Sequence, residues 1–481
     1  MKKIDRRTAI KHLGVGAAAA AIAPRLLAGC GDDGSPAILG PDGGPINPDA
    51  RPMAKGITHF VEICMENRSY DHWLGSRKLT GLPVAGDGLV EGMSNKRGDG
   101  TEVKIYPADV MCVADPPHGW DSAHRQFNGG MMDGFLSEYE LAQGASIVPA
   151  VMEYMMPSQI PWTSKLLEQS TVCDRWFSGM MGPTWPNRLY LHSAQCGGLT
   201  ANELPTSGGF DWRTVYHNLN DKQIPWTYYW SDLPIASLWQ DLATDYNIRR
   251  IAQFFDDAAE GTLPPVSVIE PAFGANDDHP PHHPMLGQQF LASVFAALAT
   301  SPLWNNMLIV ITYDEQGGFY DHVAPPKFPD DRAELGFDQA GFRVPTIIAG
   351  PYARKGFVDS TVREHSSVVK HISTMFDLPA LGMRDAAATD LMAAIDLDRL
   401  AANDPAPPPT LPEVVVDESM ITDACMKTSK RYEGYHKADI EQLADTGYFG
   451  ARDLRKDLPE TLRLMAEQLE KRGMGGYRRG R

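Results

Sequence analysis

The chain has 481 residues, 43% of them hydrophobic, with 37 prolines, 44 glycines and a formal net charge of −17 at pH 7. That composition supports a large core and excludes a disordered chain. The acidic balance argues against nonspecific nucleic-acid binding and against electrostatic capture by an anionic membrane.

The first residues read as processing information. Lys2, Lys3, Arg6 and Arg7 precede an apolar, alanine-rich stretch from Gly14 to Ala23, shorter than the ~20 residues that span a bilayer. The adjacent arginines in Asp5-Arg6-Arg7-Thr8 resemble a Tat export signal, and Leu27-Ala28-Gly29-Cys30 resembles a lipobox. The expectation is a signal peptide over 1–29, lipidation of Cys30, and a Pro/Gly-rich tether over 30–54. The protein would then be a lipoprotein facing the periplasm or the cell exterior, with its membrane association through Cys30. Cleavage before Cys30 removes six basic residues and one acidic residue, taking the formal charge from −17 to −22. Cys64, Cys112, Cys173, Cys196 and Cys425 remain; no close pair among them suggests a structural zinc, and spacing assigns no disulfide.

The predicted elements follow. A first strand covers Ile57 to Met65 and ends in Glu66-Asn67. A loop-rich insertion carries Pro107, Pro116-Pro117-His118 and His124. A helix over Ser164 to Gln169 leads to a strand over Thr171 to Phe177. The loop Gly182-Pro183-Thr184-Trp185-Pro186-Asn187-Arg188 comes next. Trp226-Thr-Tyr-Tyr-Trp230 reads either as a buried strand or as an aromatic face for a choline cation. Strands at Val266 to Glu270, Met307 to Tyr313 and Val344 to Ala349 are joined by helices at Phe290 to Ala299 and Ser366 to Phe376. Short apolar strands separated by helical stretches predict a largely parallel α/β sheet with helices on both faces. The catalytic domain is expected over 55–400. After the Pro-rich crossing at 401–410, a C-terminal extension (401–481) is expected to pack on it through Leu462, Met465 and Leu469. A basic, flexible tail from Arg472 would close the chain.

Two apolar strands therefore deliver oxygen donors at their C-terminal ends, Glu66-Asn67 and Asp314-Glu315, where α/β sheets collect their sites. Either pair alone also fits a helix cap or a polar turn. Together with the hydroxyl and guanidinium of the Thr184 loop, they point to metal-assisted phosphoester hydrolysis. A P-loop signature is absent, as is the Gly-x-Ser-x-Gly elbow of carboxyl-ester hydrolases.

Met65-Glu-Asn-Arg-Ser-Tyr-Asp-His72, Gly182-Pro-Thr-Trp-Pro-Asn-Arg188 and Asp314-Glu-Gln-Gly-Gly-Phe-Tyr-Asp-His-Val-Ala-Pro-Pro326 resemble the bacterial phosphoesterase family. That family holds phosphatidylcholine-type phospholipases C and an acid phosphatase, and its fold is alkaline-phosphatase-like. The resemblance runs from Ile57 to Met392. It implies a metal shell of Glu66, Asn67, Asp314 and Glu315, a nucleophile at Thr184, and His118 and His279 as catalytic histidines of the phosphate pocket. Phosphate binding would fall to Asn67, Arg188 and His365, although Arg188 fits equally well as the partner of a loop carboxylate. The cofactor would be one divalent ion; oxygen donors suit Mg²⁺, Ca²⁺ or Mn²⁺, and zinc also fits. Two substrate classes follow: a phospholipid cleaved in phospholipase C manner, or a small phosphate monoester cleaved by an acid phosphatase. The sequence leaves the oligomeric state open.

Overall fold

The computed structural model describes residues 56–203, 205, 209–244, 246–273, 275–417 and 454–478. All of them belong to one compact unit, residues 39–481. The leader, lipobox and tether read at residues 1–54 lie outside the described residues, as does Cys425. Among the described residues no helix is long and apolar enough to cross a membrane.

Eight strands build the central sheet: β1 (His59–Met65), β2 (Thr171–Cys173), β3 (Trp226–Trp230), β4 (Ile248–Arg250), β5 (Val266–Ile269), β6 (Met307–Tyr313), β7 (Thr346–Ala349) and β8 (Phe357–Asp359). Their spatial order is β8-β2-β7-β6-β1-β5-β3-β4. All pairings are parallel except β6 with β7 and β7 with β2. The sheet is thus mixed, with β7 alone reversed, and helices flank it. Every residue of β1 and β6 is buried. This explains why β6 reads as a near-continuous apolar run, and β1 as one interrupted by His59 and Glu62, rather than as strictly alternating patterns.

The helices that bear on the site are α1 (Tyr70–Leu74), α2 (Trp120–Phe127), α3 (Phe135–Gln143), α4 (Thr184–Ser193), α5 (Pro284–Ala299), α6 (Ser366–Phe376) and α7 (Leu454–Lys471). Helix α5 begins six residues before the predicted Phe290, because Pro284 sits in its first turn and His283 caps it through Met285 N–H. The predicted strand over Thr171 to Phe177 is two pieces. Asp174 and Arg175 interrupt it, and Trp176–Phe177 pairs instead with Arg363–Glu364. The predicted strand at Val344 starts at Thr346, since Pro345 has no N–H to give a ladder.

The C-terminal helix α7 buries Leu462, Met465 and Leu469. The Ser293 hydroxyl of α5 donates to the Met465 carbonyl at 2.9 Å. The stretch read as a flexible tail instead contributes β10 (Gly475–Arg478), parallel to β9 (Val414–Asp417). Gly475 permits that approach: a Cβ there would lie 2.0 Å from the Val414 carbonyl oxygen.

The loops after β1 and β6 are clasped together. Ser69 caps α1, accepting from His72 N–H at 3.1 Å, and donates to the Tyr320 carbonyl at 2.7 Å. Arg343, fully buried, pairs with Asp71 at 3.1 Å and Asp321 at 2.9 Å. It also donates to the carbonyls of Asp87 and Asp174. Removing it strands two buried carboxylates, so Arg343→Ala is expected to cost about 3–5 kcal/mol in urea unfolding. A loss below about 1 kcal/mol, the scale of an exposed pair, would show that the clasp contributes little.

Candidate active site

The register of β1 on β6 runs from His59↔Met307 to Met65↔Tyr313, so the two strands end level. Asp314 N–H donates to the Met65 carbonyl at 3.0 Å. Asn67 N–H and Glu315 N–H donate to Asp314 Oδ1 at 3.0 and 2.7 Å. Asn67 turns the chain with φ 58°, a left-handed conformation that asparagine tolerates. Glu66, Asn67, Asp314 and Glu315 are all 0% exposed. Gly317, φ +63°, seats the second loop on the first: a Cβ there would lie 2.2 Å from the Asn67 carbonyl oxygen. Its N–H holds Glu315 Oε2 at 2.7 Å.

Thr184 opens α4, in the first turn, where backbone N–H groups are unpaired and the helix dipole is positive. The turn before it is fixed by Asn187, which accepts from Met180 N–H at 2.9 Å and donates to the Gly182 carbonyl at 2.9 Å. Trp185 N–H donates to Asn202 Oδ1 at 2.9 Å. Thr184 Oγ1 is buried and has no hydrogen-bond partner among the described residues.

Arg188 lies one turn further along α4 and is 0% exposed. Its guanidinium stands 3.4 Å from Glu66, 3.4 Å from Asp314 and in contact with Glu270. It also reaches the carbonyls of Cys64 and Met65, both at 3.3 Å. Strand-end carboxylates, including one the sequence reading did not use, thus engage this fork. Glu270 follows β5 as Glu66 follows β1, and that shared pattern was the available signal.

His118 is engaged at both nitrogens: Nδ1–H donates to the Pro116 carbonyl at 2.7 Å, and Nε2 lies 3.3 Å from Asn67 Nδ2. The His118 and His279 rings meet edge to face at 5.4 Å. His279 Nδ1 is 2.5 Å from the Pro280 carbonyl. His365 stands behind Asp314, with Nε2 2.6 Å from the Asp314 carbonyl and Nδ1 facing Trp176 Nε1 at 3.3 Å. Both of its nitrogens are therefore engaged within the protein.

Burial dominates the electrostatics. It raises the Glu66 carboxyl well above its usual range, with the Asp314 charge adding to the effect and Arg188 opposing it. Glu315 is likewise raised by burial, against His118. Asp277, on the loop before His279, is raised by burial as well. At His118, burial works against the charged ring, yet Glu315, Asp115, the Pro116 carbonyl and Asp314 act the other way and push the pKa up to about 9. Burial takes His365 down to about 3.

Carboxylates thus outnumber cations in a desolvated space. Asn67 Oδ1 and Glu315 Oε1 also accept no hydrogen bond among the described residues. Hard oxygen donors with spare lone pairs and surplus negative charge fit a divalent cation. Two groups of three residues bring one ligand atom each within 4.8 Å of one another: Asp115, His118 and His279, and Asp71, Asp321 and His322. Arg343 already supplies the positive charge in the second group. Glu66, Asp314 and Glu315 do not form such a group; Arg188 stands 3.4 Å from Glu66 and from Asp314.

The aromatic run read as a choline face or a strand is the strand β3, buried at all five positions. Tyr228 hydrogen-bonds Glu270, and Tyr229 donates to Asp257 at 2.6 Å.

Glu62 lies four residues before Glu66 on the same face of β1, and burial, against the Arg188 charge, raises it from 4.5 to about 8. A raised carboxyl holds its proton in the folded state after the unfolded chain has lost its own. Its stability contribution is therefore complete below about pH 4.5 and falls as pH rises toward 8. Glu62→Gln should gain stability relative to the parent between pH 5 and 8, by at most about 1.4 kcal/mol per pH unit, in paired urea titrations. An offset that is the same at both pH values would contradict the burial argument.

The profile of the phosphoesterase family matches residues 57–379. Non-specific phospholipase C6 of Arabidopsis thaliana is 34% identical over 74% of this chain and 75% of its own length. Phospholipase C A of Mycobacterium tuberculosis is 28% identical over 71% of this chain and 77% of its own. A solved structure of an alkaline phosphatase superfamily protein from Vibrio parahaemolyticus aligns over 73% of this chain and 74% of that one, with 8% identity and a TM-score of 0.38.

Proposed function

The chain belongs to the phosphoesterase family and is a metal-associated phosphoric ester hydrolase; on that premise we propose that it is a phospholipase C-like enzyme with Thr184 as its nucleophile. The observation that carries the reading is the buried, unbonded Thr184 hydroxyl in the first turn of α4. A hydroxyl desolvated without a partner is costly unless a ligand completes it. The nearby strand-end carboxylates suit the group that would do so.

Glu66, Asn67, Asp314 and Glu315 would hold one divalent ion of the Ca²⁺, Mg²⁺, Mn²⁺ or Zn²⁺ class. When bound, such an ion polarises a phosphoryl oxygen and lowers the pKa of a coordinated hydroxyl. Thr184 Oγ1 gives its proton to one of the strand-end carboxylates and attacks phosphorus, the phosphorus–oxygen bond to the alcohol breaks, and the leaving oxygen takes a proton from His118 or His279. Water then attacks the phosphothreonine and returns a proton to the histidine, while the departing Thr184 oxygen takes back the proton held by the carboxylate. Arg188 keeps Glu66 and Asp314 in place, and His365 holds the Asp314 carbonyl. The ancestry of the curated relatives named phospholipases C favours diacylglycerol as the leaving alcohol; hydrolysis of small phosphate monoesters, as in an acid phosphatase, is the second reading. Export and anchoring through a lipidated Cys30 belong to the proposal and rest on the sequence of residues 1–30.

The test compares product release from phosphatidylcholine and from a phosphate monoester by the metal-loaded protein. Phosphocholine should dominate, and Thr184→Ala should lower kcat by about 10³-fold or more without changing the folded spectrum. Inorganic phosphate as the main product would select the monoesterase. Full activity in Thr184→Ala would remove the nucleophile assignment whichever substrate is preferred.

A further inference from the structure

The site is enclosed on nearly every side. Glu66, Asn67, Thr184, Arg188, Asp314, Glu315 and His365 are 0% exposed, His279 is 1% exposed, and His118, at 6%, is the most exposed of the nine. A groove of about 520 Å³ opens beside His118 and is lined by its flanking residues Pro117 and Gly119, then by Trp120 and Asp121 of α2. Its lining also includes Thr200 and Ala201, next in sequence to Asn202, whose Oδ1 accepts from Trp185 N–H of α4. The groove therefore borders His118 through its two sequence neighbours and comes near α4 through the residues beside Asn202. Trp120 also neighbours the nucleophile loop: a Cβ on Gly182 would lie 3.9 Å from the Trp120 ring.

The chemistry of the groove is specific. Trp120 is half-buried; His124 and Phe337 pack against it at ring distances of 4.3 and 5.2 Å, which fixes the indole. Arg125, the cation of the lining, is matched twice by Glu138, at 2.8 Å for each contact. Asp121 is exposed and acts on Arg125 one turn along α2; with Glu138 also in the lining, one net negative charge remains. An indole in a lining of net negative charge suits an alkylammonium ion. The volume lies within the ~300–1,000 Å³ range of small-molecule sites. The aromatic run of β3 is committed to the core and leaves that role open.

Resting on the phospholipase C-like reading, we infer that the Trp120–Asp121 groove is the subsite for the cationic amino-alcohol head group of the phosphodiester. The phosphate sits at Thr184 and the trimethylammonium group lies against Trp120 with Asp121 beside it.

The test measures binding, not turnover, in the metal-loaded Thr184→Ala chain. Calorimetric titration compares phosphocholine with 3,3-dimethylbutyl phosphate, its uncharged carbon isostere. Phosphocholine should bind about five- to tenfold more tightly, the scale of a cation–π contact with a carboxylate neighbour. Adding Trp120→Ala should bring the ratio near one, and Trp120→Phe should restore most of it. Asp121→Asn, at an exposed position that carries little folding risk, should lower the ratio on its own. Equal affinities in the parent, or an unchanged ratio in both Trp120→Ala and Asp121→Asn, overturn the subsite while leaving the phosphoesterase reading intact. Failure of both phosphates to bind, with no hydrolysis by the Thr184 protein, overturns both.

Discussion

Seven consecutive residue pairs lock β1 to β6 in parallel, and the site depends on that register. Because the strands end level, the first residues beyond them share one space, and backbone N–H groups from both loops converge on a single carboxylate, Asp314. A slip of one position would turn Glu66 and Asp314 to opposite faces, since strand side chains alternate. The apolar runs that make β1 and β6 stable in the sheet centre are therefore also what aims the polar residues that follow them.

That arrangement concentrates charge. Glu66, Asp314, Glu315, Glu270 and Asp277 are all buried at the same end of the sheet, and Arg188 and His118 answer only part of their charge. Burial, with the neighbouring charges adding to it, raises the carboxyl pKa values, and the acids around His118 push its pKa up. A ground state strained in this way has much to gain from a cation or from a proton, which is the general condition for acid–base and metal chemistry in one pocket.

Much of this was legible in the sequence. Strands buried on both faces announce themselves as continuous hydrophobic runs, so β1, β5 and β6 were readable along with the acids that follow β1 and β6. The motif around Thr184 stood out because proline, tryptophan and asparagine crowd one turn. Other features were hidden for physical reasons. A strand of aromatics and an aromatic binding face have the same hydrophobicity, so Trp226–Trp230 was ambiguous until burial at all five positions was seen. Arg188 offers the same fork to a carboxylate or a phosphate; only the third dimension places Glu270 against it. Nor can local sequence show that His365 spends both nitrogens inside the protein, or that a glycine-rich tail finds a strand partner sixty residues upstream.

The contact of Gly317 with the Asn67 carbonyl bears on how the enzyme can move. With no side chain between them, the two strand-end loops are in van der Waals register, and the clasp from Ser69 and Arg343 holds them from behind. A hinge motion that lifted either loop would pull half of the oxygen donors away from the other half. Substrate and product would therefore be exchanged above a floor that both loops share, on the side where the groove beside His118 opens.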